Sequence, residues 1–216
     1  MNKFEEAYLK IISESNENKS NENKSNNNKS NNNKINFDGK TKIEIVKILL
    51  ESYKHPEITY ILPKDCSFLF AESNNFEYIG NWDTSEVEDM SFMFSYSEFN
   101  RDINNWDVSN VRDMGWIFSY SKFNRDIGDW DVSKVTSMHS MFYNSKFNKD
   151  ISKWDVSSVE DMSDMFRNSK FNGDISKWNF FSVKNMSWMF NNSKFSEDIS
   201  KLNIPEKLKS TLGNSN

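Results

Sequence analysis

The stretch WDVSNVRDMGWIF, residues 106–118, decides the fold because close copies of it recur along the chain. Versions of its opening WDVSNV begin at Trp82 (WDTSEV), Trp130 (WDVSKV), Trp154 (WDVSSV) and Trp178 (WNFFSV). The tryptophans are evenly spaced at a 24-residue interval, and no insertion interrupts them. A fixed period between about 20 and 50 residues indicates a repeat architecture, in which each unit buries its apolar side against its neighbours.

Alignment on the tryptophans places the other apolar residues in rows as well. The rows are Phe70, Phe94, Phe118, Phe142, Phe166 and Phe190; Met90, Met114, Met138, Met162 and Met186; Met93, Ile117, Met141, Met165 and Met189; Val87, Val111, Val135, Val159 and Val183; Ile79, Ile103, Ile127, Ile151, Ile175 and Ile199; and Phe99, Phe123, Phe147, Phe171 and Phe195. Because a position that is apolar in every unit faces a shared core, we predict that the tryptophans serve packing and not chemistry. Cys66 stands in the first methionine row of a partial opening unit, DCSFLF, and is predicted to be a small core residue and not a reactive thiol.

Each unit is predicted to hold one short strand and one short helix. Val111, Met114 and Ile117 are spaced by three residues, and Phe118 follows, as on the apolar side of a helix. The preceding Trp-Asp-Val segment has β-type residues and is too short for a helix, so we expect a brief strand there. The predicted fold class is therefore an α/β repeat solenoid like the leucine-rich-repeat proteins, with an N-terminal cap helix.

The composition divides the chain into five segments. Residues 1–12 are predicted to form a short amphipathic helix. Residues 13–36 are predicted to be a disordered linker rich in Asn, Ser and Lys, because its polar repeat cannot bury surface. A helix within residues 37–62 is predicted to cap the N-terminal end of the repeat. The repeat itself spans residues 63–202, about five and a half coils, and residues 203–216 form a C-terminal cap and tail.

Aspartates recur at two positions of the unit. Asp83, Asp107, Asp131 and Asp155 follow the tryptophans, and Asp102, Asp126, Asp150, Asp174 and Asp198 precede the isoleucines. Repeated Asp, Asn and Ser at the corners of a coil favour turns and helix N-caps, through side-chain hydrogen bonds to backbone N–H groups. A calcium ladder and acid–base catalysis are the alternatives, but such a site is local, whereas these rows run along the whole repeat. We therefore predict no metal site and no cofactor.

The composition disfavours several functional classes. The 216 residues carry a formal charge of −5, whereas nucleic-acid-binding domains are usually basic, so nucleic acid is a disfavoured partner. The start MNKFEEAYLKIISES lacks the charged-then-apolar pattern of a signal peptide, and no apolar run approaches the roughly 18–20 residues of a membrane span. A cytoplasmic location is expected; the alternative is the cell surface, or secretion by a non-standard route.

The sequence offers no constellation for catalysis. Its two histidines are His55, in the predicted cap, and His139, at a variable position of the repeat. Neither belongs to a pattern with a Ser or Cys nucleophile, and no glycine-rich phosphate loop is present. We expect a protein that is not an enzyme and has no catalytic residues.

Partner-binding residues are expected at repeat positions that the core leaves free. Phe92 and Trp116 share one such position, and Tyr96 and Tyr120 share another, four residues on. Because residues four apart share a helix side, these side chains are predicted to form one aromatic patch. Tyr and Trp are favoured anchors of protein interfaces. The alternatives are that the cap helix or residues 1–12 cover the patch, or that it is exposed without a function.

A second candidate surface is a basic ridge. Lys122 and Lys146 stand at the same position of adjacent units, and Arg125 follows Lys122 by three residues. The same two positions continue in Lys170 and Lys194, and in Arg101 and Lys149. Because lysines on an outer surface also keep a protein soluble, solubility is the alternative role of this ridge.

The units FNRDINNWDVSNVRDMGWIF and FNKDISKWDVSSVEDMSDMF resemble the bacterial surface-protein repeat of the BspA-like leucine-rich repeats, the DUF285 group. The resemblance covers about residues 65–202. It implies a leucine-rich-repeat-like fold without catalytic residues. It also implies, for many members of the group, a role at the cell surface in adhesion.

These features together predict a non-catalytic scaffold that binds another protein through the outer surface of the repeat. The first alternative is a small intracellular inhibitor or effector of one target, such as a nucleic-acid-handling enzyme, and the second is a surface adhesin. The predicted partner-binding residues are Phe92, Tyr96, Trp116, Tyr120, Lys122, Arg125 and Lys146. The sequence leaves the oligomeric state open.

Overall fold

The structure, a computed structural model, describes residues 34–73, 79–196 and 199–212. The helix predicted at residues 1–12, and most of the predicted linker, lie outside the described residues. The regular elements are β1 (Lys34–Ile35), α1 (Lys42–Leu50), a 3-10 turn (Ser52–Lys54), β2 (Thr59–Ile61), β3 (Trp82–Asp83), a second 3-10 turn (Ile199–Lys201) and α2 (Glu206–Lys209). Neither α-helix of the described chain has the length and apolar character that a membrane crossing needs.

The three strands form one parallel sheet in the order β1-β2-β3. Ile35 of β1 lies opposite Tyr60 of β2, and Tyr60 lies opposite Trp82 of β3. Tyr60 and Trp82 are buried in the apolar core. The sheet therefore connects the segment before the repeat to the first full unit.

Helix α1 packs on the apolar core with one side. A capping box begins it: the Thr41 N–H donates to Glu44 Oε2 (2.8 Å), and the Glu44 N–H donates to Thr41 Oγ1 (3.3 Å). The hydrogen bond from the Thr41 backbone lowers the pKa of the Glu44 carboxyl. Ile45, Val46 and Leu49 are buried and belong to the same apolar cluster as the repeat. A buried apolar side is what an element beside a repeat needs in order to cover its first layer.

The helix predicted in every coil is wrong, because the chain there makes a series of tight turns. Trp116 and Tyr120 have φ angles of 59° and 55°, whereas the residues of an α-helix have negative φ. The Ile117 N–H donates to Met114 O (3.3 Å). The Ser119 N–H donates to Trp116 O (3.0 Å), and both bonds span three residues where a helix spans four. A segment with these dihedral angles and bonds is a run of turns and not a helix.

The remaining N–H groups of this segment bond to the following unit. The Trp116 N–H donates to His139 O (3.0 Å), and the Phe118 N–H donates to Met141 O (3.1 Å). Corresponding bonds to the following unit start from Phe92, Phe94, Ser140, Phe142, Asp164 and Phe166. Along each segment the amides thus alternate between a bond within a turn and a bond to the neighbouring unit. This alternation satisfies the backbone without a helix.

The strand predicted at every Trp-Asp-Val segment is wrong as well. Within the described residues, β3 is the only strand at a tryptophan of the repeat. Isolated parallel bridges join the units instead, and they link Asp65, Asp89, Asp113, Ser137, Asp161 and Asn185 in that order. The predicted α/β solenoid of the leucine-rich-repeat type is therefore corrected to a small parallel sheet followed by turn-rich units, bonded to one another in a 24-residue register.

The apolar rows form the core, as predicted. Phe118 stacks on Phe94 (ring centroids 5.9 Å apart) and on Phe142 (6.0 Å), and all three are fully buried. The methionine, valine and second phenylalanine rows are buried in the same cluster, whereas Ile79 and Ile199, at its two ends, are partly buried. One residue type at the same position of successive units therefore gives a continuous stack of side chains.

Three of the tryptophans are hydrogen-bonded to the preceding unit as well as buried. Trp154 Nε1 donates to Ile127 O (3.0 Å), and the Trp154 ring stacks on Trp178 (6.4 Å). The same hydrogen bond recurs in the pairs Trp130–Ile103 and Trp178–Ile151. An insertion would move the indole N–H away from its carbonyl acceptor in the neighbouring unit, so packing and hydrogen bonding explain the strict interval.

The aspartate rows form turns, as predicted. Asp107 Oδ1 accepts a hydrogen bond from the Ser109 N–H (3.0 Å), and Asp131 Oδ1 accepts one from the Ser133 N–H (3.1 Å). Hydrogen bonds from Ser133 lower the pKa of the Asp131 carboxyl. Asp102, Asp126, Asp150, Asp155 and Asp174 accept the corresponding bond from the residue two positions on. Among the residues that the structure describes, no three His, Cys, Asp or Glu side chains gather as a metal site.

Cys66 is a core residue, as predicted. Its Sγ donates to Pro63 O (3.2 Å), and burial raises the pKa of the thiol to about 12. Since the thiolate is the reactive form, we expect Cys66 of the native protein to resist iodoacetamide at neutral pH over a period in which the guanidinium-unfolded protein is fully alkylated. Mass spectrometry of the two samples checks this result. Equal labelling of native and unfolded protein would contradict the buried position.

Apolar residues close the C-terminal end of the repeat. The buried residues there are Leu202, Ile204, Leu208 and Leu212. The Trp188 N–H donates to Thr211 O (2.8 Å), so the C-terminal segment continues the hydrogen bonding between units. The last layer of the core is therefore covered by the segment that contains α2.

Candidate functional site

One side of the stacked turns carries aromatic rings outside the apolar rows. Phe68, Phe92 and Trp116 occupy the same position of successive units. The Phe68 and Phe92 rings lie 4.4 Å apart at 7°, and the Phe92 and Trp116 rings lie 5.5 Å apart at 5°. The three rings therefore form one nearly parallel stack along the molecule.

A second stack, of tyrosines, runs four residues further along each unit. The Tyr96 and Tyr120 rings lie 4.4 Å apart at 9°. Tyr96 is 53% exposed and Tyr120 is 37% exposed. The predicted aromatic patch thus consists of two stacks, each built between units, and the helix side that was expected to produce it does not exist.

Tyr143 joins the two stacks. Its ring lies 5.7 Å from that of Trp116 and 5.2 Å from that of Tyr120. A hydrogen bond with Tyr143 and partial burial raise the pKa of the Tyr120 hydroxyl to about 12. We call the joined set the aromatic ribbon; its members are Phe68, Phe92, Tyr96, Trp116, Tyr120 and Tyr143.

Sequence reasoning missed Tyr143 because it stands at a different repeat position. Its neighbour Asn144 is the residue aligned with Tyr120, so a comparison by position passes over it. The sequence does hold a signal that could have found it. Ser140 replaces the aromatic residue in the row of Phe92 and Trp116, and Tyr143 supplies an aromatic residue three positions later in the same unit.

Except for Tyr143, the ribbon residues occupy backbone positions that disfavour large side chains. Phe92, Tyr96, Trp116 and Tyr120 have φ angles of 56°, 57°, 59° and 55°, in the left-handed region. Residues with a Cβ are strained there, and Gly, Asn and Asp are the residues best tolerated. At the tyrosine position the later units carry Asn144, Asn168 and Asn192. The backbone alone therefore favours asparagine where the ribbon has tyrosine.

A cation continues the ribbon toward the C-terminal units. The Arg167 guanidinium lies 5.7 Å from the Tyr143 ring centroid and 5.5 Å from that of Trp188, which is 50% exposed. Arg167 Nη1 also pairs with Asp164 Oδ1 (2.9 Å). This arrangement is a cation–π contact on two rings, and the ion pair neutralises its charge.

Gly115 makes room for His139 beside the ribbon. A Cβ on Gly115 would lie 2.3 Å from His139 Cε1, a distance that no side chain could accept without a shift. His139 packs edge-on against Trp116 (6.2 Å), and its Nδ1 lies 3.0 Å from Ser137 Oγ. His139, at a variable position of the repeat, therefore packs against Trp116 and helps to hold its ring in place.

The basic residues of the predicted site differ in what they contact. Lys122 pairs with Glu98, and Arg125 Nε donates to the backbone oxygen of Asn100 (3.0 Å). Lys146 is exposed. The structure therefore separates Lys146 from the other two, whose polar groups are already engaged.

Helix α1 does not cover the tyrosines of the ribbon. Its buried residues Ile45, Val46 and Leu49 face the apolar core, and Tyr96 and Tyr120 keep the exposures given above. Coverage of these two tyrosines by the cap helix, one of the alternatives from the sequence, is therefore excluded. The other covering element considered, residues 1–12, lies outside the described residues.

Comparison with known protein families gives a match for this chain. The family described as "Mycoplasma protein of unknown function, DUF285" matches residues 64–168 and 121–212. These ranges cover the whole set of stacked units and the aromatic ribbon. No curated protein and no solved structure matches the chain. Because the family covers well over half of the chain and confirms the resemblance of its repeats, the protein belongs to DUF285.

Proposed function

We propose that this chain is a non-catalytic binding protein that recognises another protein through the aromatic ribbon. The observation that carries the proposal is the pair of stacked, exposed tyrosines, Tyr96 and Tyr120, at positive φ. Later units have asparagine at that position, so neither the core nor the backbone requires tyrosine. Residues kept in a strained conformation at the surface commonly serve function.

The chemistry of the ribbon suits a protein partner. Tyr and Trp are enriched among the residues that dominate interface affinity, because they offer a large contact area with few rotatable bonds. Stacking on neighbours further restricts Trp116 and Tyr120 before any partner arrives. Little side-chain entropy is then lost on binding, which favours affinity.

The two more specific roles, an inhibitor or effector and an adhesin, differ in their cell compartment and in their target. An inhibitor or effector of one target would act in the cytoplasm, which is our proposed location, whereas an adhesin would act at the cell surface. Cell fractionation of the native organism separates these cases. A protein found only in the surface fraction would overturn the cytoplasmic proposal and leave the binding role intact.

The double substitution Tyr96→Asn/Tyr120→Asn tests the binding role. We expect it to weaken partner binding at least about 30-fold, the effect of losing one strong interface anchor of about 2 kcal/mol. The free energy of unfolding should stay unchanged or rise, because asparagine is the residue that Asn144, Asn168 and Asn192 place at the same φ. The measurement is quantitative pull-down from native lysate, followed by titration of the captured protein.

A matched control removes an exposed aromatic residue outside the ribbon. Phe181 is 87% exposed, and other units have serine at its position, so Phe181→Ser restores the residue of the repeat. This variant should bind the partner as the wild type does. Retention of the same partners by Tyr96→Asn/Tyr120→Asn, or an equal loss with Phe181→Ser, would overturn the proposed role of the ribbon.

A further inference from the structure

We propose that the partner segment bound by the aromatic ribbon is an extended, acidic stretch of polypeptide. This inference rests on the proposed function, since it names the chemistry of the partner at the same surface. Three features carry it: the ring edges that the ribbon exposes, the balance of charge beside it, and its length.

The two stacks of the ribbon present ring edges to solvent, whereas the Tyr143 ring is covered by the Arg167 guanidinium. The near-parallel stacking of Phe68, Phe92 and Trp116 covers ring faces with neighbouring rings. The π system is negative on the face and positive at the edge. A row of edges is therefore weakly electropositive and favours carboxylates over cations.

Most charges beside the ribbon are already paired. Carboxylates of the same or the preceding unit bind three of its cations, in the pairs Lys122–Glu98, Arg167–Asp164 and Lys184–Glu160. Lys64 likewise pairs with Glu88. The opposite charges of these pairs cancel, so the pairs give the surface no preference for an anionic or a cationic partner.

Lys146, Lys170 and Lys194 are the exception. All three are exposed, and no ion pair within the described residues joins any of them to a carboxylate. They follow Asn144, Asn168 and Asn192 by two residues, so they lie beside the row that Glu72, Tyr96 and Tyr120 begin. Adjacent units lie about 5 Å apart, so neighbouring ammonium groups repel each other unless an anion lies between or beside them. The uncompensated charge beside the ribbon is therefore positive.

The length of the ribbon fits a short extended segment. Together with its continuation through Arg167 to Trp188, the ribbon crosses six equivalent positions of successive units, from Phe68 to Trp188. Five intervals of about 4.8 Å give about 24 Å, which an extended chain at about 3.3 Å per residue covers with about seven residues. Single-stranded nucleic acid, the other common ligand of aromatic and basic surfaces, needs free ring faces on which its bases stack, and the stacking within the ribbon covers them.

A random 12-residue peptide display library, selected on the full-length chain at low salt, tests the proposal without a known partner. We expect the enriched peptides to contain Asp and Glu next to apolar residues. Synthetic copies of them should quench the tryptophan fluorescence of the protein in a titration. Their affinity should fall at least tenfold with Lys146→Glu/Lys170→Glu, and should also fall as salt is raised.

The chain offers a matched control for the charge reversal. Lys153 and Lys177 are two exposed lysines that share one repeat position in the same two units, away from the tyrosine row. Lys153→Glu/Lys177→Glu makes the same change in net charge, so it should leave the affinity within about twofold if local charge decides binding. An equal loss in both pairs would mean that only the overall charge matters, and would overturn the proposal.

The other outcomes separate this inference from the proposed function. Neutral or basic peptides whose binding needs Tyr96 and Tyr120 would overturn the acidic partner and support the ribbon. Peptides that bind equally to Tyr96→Asn/Tyr120→Asn would contradict both. Absence of any enriched peptide, or tighter binding of single-stranded oligothymidine than of every peptide, would overturn the acidic segment and leave the pull-down to decide the binding role.

Discussion

Replacement of Trp154 by alanine is expected to lower the free energy of unfolding by about 3–5 kcal/mol, the usual effect of removing a buried tryptophan. Trp154 is only 4% exposed, and its ring contacts Phe142 (6.4 Å) and Trp178 (6.4 Å) in the two flanking directions. Its loss also removes one of the two hydrogen-bond donors of Ile127 O, which keeps the bond from the Trp130 N–H (3.2 Å). The lost hydrogen bond adds to the effect of the cavity.

Trp188→Ala is the matched control for this measurement. The same chemical change at Trp188 removes a half-exposed ring, which the Arg167 guanidinium contacts. We expect it to lower the free energy of unfolding by less than about 1 kcal/mol. Urea unfolding of both variants, followed by intrinsic fluorescence, gives the comparison. Equal losses at the two positions would contradict the assignment of the evenly spaced tryptophans to the core.

Substitutions of Ser140 should change stability in opposite directions. Ser140 has a φ of 53°, and its N–H donates to Ser163 O (2.8 Å). Ser140→Pro fixes φ near −65° and removes that donor, so we expect a loss of at least about 3 kcal/mol. Ser140→Gly relieves the left-handed strain and should raise the free energy of unfolding by up to about 1 kcal/mol after the entropy of the unfolded chain is subtracted.

The sign of the glycine effect distinguishes a turn from a helix at this segment. In a helix interior, glycine would lower stability by about 0.5–1 kcal/mol. Urea unfolding of Ser140→Gly beside the wild type provides the measurement. Val135→Ala, in a buried row of the same unit, serves as a control that must destabilise in either structure. A loss of stability with Ser140→Gly would restore the helix that the structure replaces.

Positions were predictable from the sequence where every unit repeats the same physical requirement. The repeat positions of Phe118 and Met138 are apolar in every unit, because each side chain packs between the same residue type of the two adjacent units. Both residues are fully buried. Asp107 and Asp131 bond to an N–H two residues on, a local contact that the sequence order alone allows. The burial of Cys66 was predictable from its alignment with the first methionine row.

The prediction of helices failed because a helix and a run of tight turns can bury apolar residues at the same spacing along the sequence. Met114, Ile117 and Phe118 are all buried, as on one side of a helix, but a run of tight turns buries the same positions. What decides between them is the bond from the Phe118 N–H to Met141 O, in the following unit. In a helix the Phe118 N–H would bond to Met114 O within its own unit, so contacts between units override the local preference.

The candidate site was partly predictable for the same reason. Phe92, Tyr96, Trp116 and Tyr120 stood out because the core rows do not use them, and their stacking follows from the constant interval between units. Tyr143 joins them only through the packing of neighbouring units, at a repeat position that carries no aromatic residue in the unit before it.

The sequence by itself determined the interval, the residues of the core and the turn-forming aspartates, because each depends on contacts that repeat identically or lie within two residues. Only the tertiary structure decided that the units are turns, that Gly115 admits His139 beside Trp116, and that Lys146 pairs with no carboxylate of the described residues, whereas Lys122 pairs with Glu98. These features depend on side chains of adjacent units meeting in space, and a difference of one residue between two units changes them without disturbing the period.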